Sequence, residues 1–89
     1  MEISYMEIIP DVDTYHDLRT SVGWNVFCRE QSEKALMNSC YCVVAKACDQ
    51  TVAMGRAVGD GMYYTLVDVI VRPQYQGRKI GSEILRNRL

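Results

Sequence analysis

The sequence predicts a mixed α/β (α+β) chain with element order β-α-α-β-β-β-α and a mostly antiparallel sheet. Three observations carry that prediction. The apolar runs 40–47, 51–58 and 62–71 follow one another with only short turns between them, the pattern of antiparallel hairpins. Two helix-like segments separate them from a first apolar run at the N-terminus. The last run ends at Val71-Arg72-Pro73 and turns through glycine into a final helix.

Each element has its own local signal. Ile3 to Ile9 alternates loosely and reads as the first strand, stopped by Pro10. Asp13 or Thr14 can cap the next helix, and Thr14 with Asp17 resembles a capping box; this helix runs through Leu18 to Val22 and ends at Gly23. A second helix is expected over Glu30 to Met37, with Ala35, Leu36 and Met37 toward its buried side. Cys40 to Ala47 reads as a strand, Asp49-Gln50 as a turn and Thr51 to Val58 as the returning strand. Gly59-Asp60-Gly61 signals a tight turn before Met62 to Val71. The terminal helix begins near Lys79 and shows apolar positions Ile80, Ile84, Leu85 and Leu89.

Eighty-nine residues make one domain, 1–89, able to bury a single core. A net charge of −1 gives no global field toward nucleic acid or an anionic membrane, so neither is expected as a partner. No run approaches the roughly 18–20 apolar residues of a membrane span. The N-terminus lacks the basic start and apolar run of a secretion signal, so a cytoplasmic protein is expected. Cys28, Cys40, Cys42 and Cys48 are then expected as free, mostly buried thiols. Their spacing is not that of a zinc site and His16 lies far away, so no metal is assigned.

Local charge tells more than net charge. From Arg72 to Arg88 stand five cations, Arg72, Arg78, Lys79, Arg86 and Arg88, against the single anion Glu83. They surround Gln76-Gly77-Arg78-Lys79-Ile80-Gly81-Ser82, where strand, glycine turn and helix N-terminus meet. Such a junction offers unpaired backbone N–H groups with the positive end of the helix dipole behind them. It is a site for phosphate, and Arg78 and Lys79 add side-chain charge.

Val71, Pro73, Gln76 and Gly81 resemble the acetyl-CoA-binding motif of the GNAT superfamily of N-acetyltransferases, Q/R-x-x-G-x-G/A after V-x-P. The middle glycine of that motif is Lys79 here. In ordinary helical conformation Lys79 would need no glycine; at positive φ it would be strained. The order of elements also resembles the first half of the GNAT fold, so the resemblance spans essentially all 89 residues and implies a single, incomplete GNAT domain. Leu18, Arg19, Val22, Gly23, Trp24 and the run Gly55 to Asp60 look like small-molecule amine acetyltransferases, and Val67-Asp68-Val69 weakly resembles arylalkylamine-type enzymes.

The resemblance implies roles residue by residue. Backbone N–H groups of Gln76, Gly77, Arg78, Lys79, Ile80, Gly81 and Ser82 would hold the pyrophosphate of the acetyl-CoA cosubstrate. The backbone of Val69, Ile70 and Val71 would bond the pantetheine arm while their side chains pack in the core. A backbone N–H of the fourth strand would polarise the thioester carbonyl. Trp24, with Tyr15, Phe27 and His16 nearby, and Tyr64 would line the acceptor pocket, or simply pack the helices on the sheet.

Asp68 stands out because a buried carboxylate among Val67, Val69 and Ile70 must be paired, hydrogen-bonded or catalytic. It would act as general base toward the acceptor ammonium, or as a structural partner of Arg56 or of a backbone N–H at a bulge.

The expected function is N-acetyl transfer from acetyl-CoA to a small-molecule amine by direct attack. The alternatives are a non-catalytic acyl-CoA-binding module and an interaction protein that pairs through its exposed strand. Either a homodimer or a further C-terminal half would satisfy that strand.

Overall fold

The computed structural model describes residues 2–88. The strands are β1 (Ile3–Met6), β2 (Tyr41–Ala47), β3 (Gln50–Gly59) and β4 (Tyr64–Val71). The helices are α1 (Val12–Ser21), α2 (Arg29–Met37) and α3 (Ile80–Glu83), and α3 widens into a π-type turn over Ile84–Arg88. The sheet order is β1-β2-β3-β4 with every neighbour antiparallel; the two hairpin signals dictate the β2-β3 and β3-β4 pairings, and β1 joins the edge at β2 across the two intervening helices.

Both faces of the sheet are covered, which explains why β2 is apolar on both faces from Cys42 to Ala45. Successive side chains of a strand point to opposite faces. Cys42 and Val44 join Tyr15, Leu18, Leu36, Met54 and Ile70 beneath α1 and α2. Val43, Ala45 and Ala47 join Val52, Ala53, Ile80 and Ile84 beneath α3.

Several boundaries differ from the sequence expectation, each for a local reason. β1 stops at Met6, and Ile8 and Ile9 are exposed in the connection to α1. The α1 cap is Asp11, one position before the helix; its side chain accepts the Thr14 amide at 2.7 Å, which also holds its carboxyl below the usual range. β3 opens at Gln50 because Cys48, at φ +56, completes the turn one residue early. β4 opens at Tyr64 because the Asp60 carboxylate accepts the Met62 and Tyr63 amides at 2.9 and 3.0 Å, drawing them into the turn.

Met37, expected toward the buried side of α2, is 77% exposed, whereas Leu36 is buried. The four cysteines are free as expected, but Cys28, Cys40 and Cys48 are exposed; only Cys42 is buried. Burial pushes the Cys42 thiol up to about 11. Leu89 lies outside the described residues, and Leu85 of the same expected stripe is exposed.

Candidate active site

β4 delivers two features to one region, a bulge in its middle and a glycine-containing turn into α3 at its end. Met54 pairs with Ile70 and Arg56 with Val67, so Asp68 and Val69 together oppose Gly55. Asp68 sits in the left-handed region at φ +51, which Asp tolerates better than most residues.

The Asp68 side chain turns beneath α1 into a cluster of donors. Tyr15 donates its hydroxyl to Oδ2 at 2.7 Å, Arg19 Nη1 donates to Oδ1 at 2.7 Å, and Arg56 donates Nε and Nη2 to Oδ2 at 2.9 Å each. The three charged side chains are well shielded, 6% exposed for Asp68, 13% for Arg19 and 12% for Arg56. Arg56 also reaches the Ala35 carbonyl and the Ser39 hydroxyl, so the cluster ties α1, the end of α2, β3 and β4 together. Burial and the bond to Asp68 push the Tyr15 phenol up, which keeps it a donor.

This geometry supports the structural reading of Asp68 over the general-base reading. A general base must present a lone pair to the proton it removes. Both Asp68 oxygens instead accept hydrogen bonds from the chain's own donors, two of them guanidinium ions, and the side chain is turned away from solvent.

Beyond β4, Pro73–Tyr75 forms a short 3₁₀ turn, and Gln76 Nε2 donates back to the Val71 carbonyl at 3.0 Å. Gly77 stands at φ +81 with open space where a Cβ would lie, so its glycine is a requirement of backbone conformation alone. Lys79 is left-handed as well, at φ +64 and ψ 18, so the strained alternative for this position is the one realised.

Gly81 is different. A Cβ there would meet only Val71 Cγ2, at an ordinary 3.6 Å, so the fold itself makes no demand for glycine. Between Val71 and the first turn of α3 lies a cleft of about 370 Å³ lined by Val71, Tyr75, Gln76, Gly77, Lys79, Ile80, Gly81 and Ser82. First-turn amides have no intrahelical acceptor, so those of Ile80, Gly81 and Ser82 are donors available at this cleft. Arg78 stacks on Tyr75, with Cζ 5.2 Å from the ring centroid.

Residues 8–89 match the model of the Acetyltransferase (GNAT) family. The chain belongs to the GNAT acetyltransferase family. Its fold is similar to that of a protein from methicillin-resistant Staphylococcus aureus described as a probable acetyltransferase, with TM-score 0.89 and 34% identity over 94% of this chain and 64% of that one. A GNAT-family acetyltransferase from Streptococcus pneumoniae gives 0.83 and 31% over 94% and 63%. A GNAT-family protein from Xanthomonas campestris pv. campestris, at 18% identity and TM-score 0.77, shares the fold. The chain spans less than two thirds of the length of the first two structures. No curated protein matches it significantly.

Seen as a GNAT chain, the expected coenzyme residues converge. Gln76, Gly77, Lys79, Ile80, Gly81 and Ser82 line one cleft with Val71 at its wall, and Arg78 is exposed in the same turn. Ile70 is buried in the core beneath α1 and α2, Val71 packs against the core beneath α3, and Val69 is half-buried. The expected acceptor residues are not gathered in this way. Trp24 packs on Arg19, whereas Tyr64 opens β4 at the hairpin end and donates its hydroxyl to the Gly61 carbonyl at 3.2 Å. His16 is bonded to Ser32 at 2.8 Å, joining α1 to α2. Among the described residues no cluster suits a metal ion, and no helix is long and apolar enough to cross a membrane.

Sequence reasoning named Arg56 as a partner for Asp68 but missed Tyr15 and Arg19. Their signal was present only as half of a pair. A buried Asp demands donors, but nothing in a linear sequence says that α1 lies over residue 68.

Proposed function

We propose that this chain binds acetyl-CoA through the turn after β4 and belongs to a cytoplasmic N-acetyltransferase that acetylates a small amine by direct attack. The observation that carries this reading is the cleft between Val71 and α3, lined by the residues of the GNAT coenzyme motif. The residues fit the group. Gly81 has no internal reason to be glycine, and bare backbone there lets a phosphate approach.

In this reading the amides from Gly77 to Ser82 hold the pyrophosphate, and Arg78 and Lys79 add charge. The backbone of Val69, Ile70 and Val71 takes the pantetheine arm. When bound, the coenzyme supplies an activated acyl group. The bulge at Asp68 and Val69 breaks the regular β3–β4 pairing, freeing a backbone donor to polarise a carbonyl. Asp68 keeps that bulge in place through Tyr15, Arg19 and Arg56 and moves no proton. Trp24 and Tyr64 remain our candidates for the acceptor side.

Calorimetry tests the reading. Coenzyme A should bind the 89-residue chain, weaken as salt rises, and bind poorly to Gly81→Glu, which places a carboxylate where phosphate belongs. A folded protein giving no heat with coenzyme A would refute it. Thiol release from acetyl-CoA with a panel of amines then separates a transferase from a non-catalytic acyl-CoA-binding module.

A further inference from the structure

The segment 24–27, between α1 and α2, carries Trp24 and Phe27, and its hydrogen bonds to the rest of the molecule pass through one residue, Arg19. Among the described residues, the hydrogen bonds of positions 24–27 both run to Arg19. The Trp24 amide donates to the Arg19 carbonyl at 2.9 Å, and Arg19 Nε donates to the Asn25 carbonyl at 2.6 Å. The Trp24 and Phe27 rings lie against the same guanidinium, with centroids 5.3 and 5.2 Å from Cζ. Nη1 of that guanidinium donates to Asp68 Oδ1 at 2.7 Å, 49 residues away in sequence.

Arg19 therefore holds the segment with Nε and its π face, and the β4 bulge with Nη1. A guanidinium is planar with donors in a fixed fork, so displacing one set of contacts turns the other. The bulge is sensitive to such a push. Asp68 occupies a sparsely populated backbone region at φ +51, and such conformations persist only where surrounding contacts determine them.

We propose that Arg19 is a positioning residue that couples the Trp24–Phe27 segment to the β4 bulge, so that what packs against those aromatics alters how firmly Val69 is held. The functional half of this rests on the acetyl-CoA reading above: acceptor contact at Trp24 and coenzyme binding along Val69 to Val71 would be linked, each strengthening the other by the same factor. The mechanical half stands without it.

The test is amide hydrogen exchange on the whole chain as wild type, Trp24→Ala, Arg19→Lys and the double variant. Trp24 is half exposed, so its truncation spares the core, and lysine keeps a cation opposite Asp68 while losing the fork. Trp24→Ala should speed exchange at Asp68 and Val69 by about fivefold or more with the central β2 amides unchanged, and should add nothing there in the Arg19→Lys background. The proposal is overturned if Trp24→Ala leaves those amides unmoved, or if the same increment persists in an Arg19→Lys background of unchanged fold. Should Arg19→Lys fail to fold, Phe27→Ala replaces it. That change perturbs the same guanidinium and must speed the same two amides; if it does not, the proposal is wrong. Coenzyme A affinity is the second readout, expected to fall about threefold in Trp24→Ala but not beyond Arg19→Lys in the double variant. If wild type binds no coenzyme A, the proposed function fails, while exchange alone still decides the coupling.

Discussion

Replacing Lys79 by glycine should stabilise the protein. Lys79 holds φ +64 at the start of α3, and its side chain makes no capping hydrogen bond that the change would remove. An L-residue in the left-handed region costs roughly 1–2 kcal/mol, because Cβ crowds the following carbonyl. Glycine removes that cost but adds freedom to the unfolded chain, worth about 0.4–1 kcal/mol against folding. The net expectation is a gain of about 0.5–1 kcal/mol, which in a domain of this size raises Tm by about 3–6 °C.

Urea and thermal unfolding without ligand would measure it, with Lys79→Ala as the control. Alanine discards the same charge and stem but keeps the Cβ, so it should bring no gain. Gly77→Ala should move the opposite way and lose about 1 kcal/mol, since φ +81 is its only obstacle and the space around it is open. Equal stabilities of Lys79→Gly and Lys79→Ala would refute the strained backbone. On the proposed acetyl-CoA reading, coenzyme affinity should meanwhile fall in both Lys79 variants, because the cation is lost from each.

Asp68→Asn leaves Arg19 and Arg56 buried without a counter-charge and should cost about 3–5 kcal/mol by urea unfolding; a loss below about 1 kcal/mol would show that the cluster is not what holds the bulge. The Cys42 thiol is raised from 9.0 to about 11 on folding, so the folded state favours the protonated form. That stability is fully present below pH 9 and is lost as pH rises through about 11, on the order of 2–3 kcal/mol. Cys42→Ala should flatten the alkaline limb of a stability–pH curve, and an unchanged limb would exclude the thiol as its source. In the described sheet β4 is an edge strand, with Val69 and Val71 half-buried and no lysine or proline to discourage pairing. Light scattering of the 89-residue chain is expected to show a dimer or larger species, and a stable monomer at high micromolar concentration would contradict this.

The fold was legible because its signals are local and mutually consistent. Gly59-Asp60-Gly61 announces a hairpin, Pro73 ends a strand, and the turn residues from Gln76 to Gly81 place a helix after it. The order β2-β3-β4 follows, since consecutive strands with short turns pair with one another, whereas the place of β1 beside β2, two helices away in the chain, came from the tertiary structure. The cleft proposed for the coenzyme was legible for the same reason, being lined by Val71 and the nearly continuous stretch Tyr75 to Ser82. Boundaries were less so: the Asp60 carboxylate could be foreseen as a turn former, but not that it would draw in both Met62 and Tyr63.

What only the tertiary structure decided concerns residues distant in sequence. A lone Asp in an apolar strand states a demand for partners without naming them. Laying α1 across the sheet brought Tyr15 and Arg19 to Asp68 and gave both its oxygens to donors of the chain. The left-handed backbone at Asp68 was equally hidden, and at Lys79 the sequence left it as one of two alternatives. Neither residue asks for positive φ by its own preference. Pairing across the β3–β4 bulge and packing at the start of α3 impose it, and such constraints arise only once the chain has closed on itself.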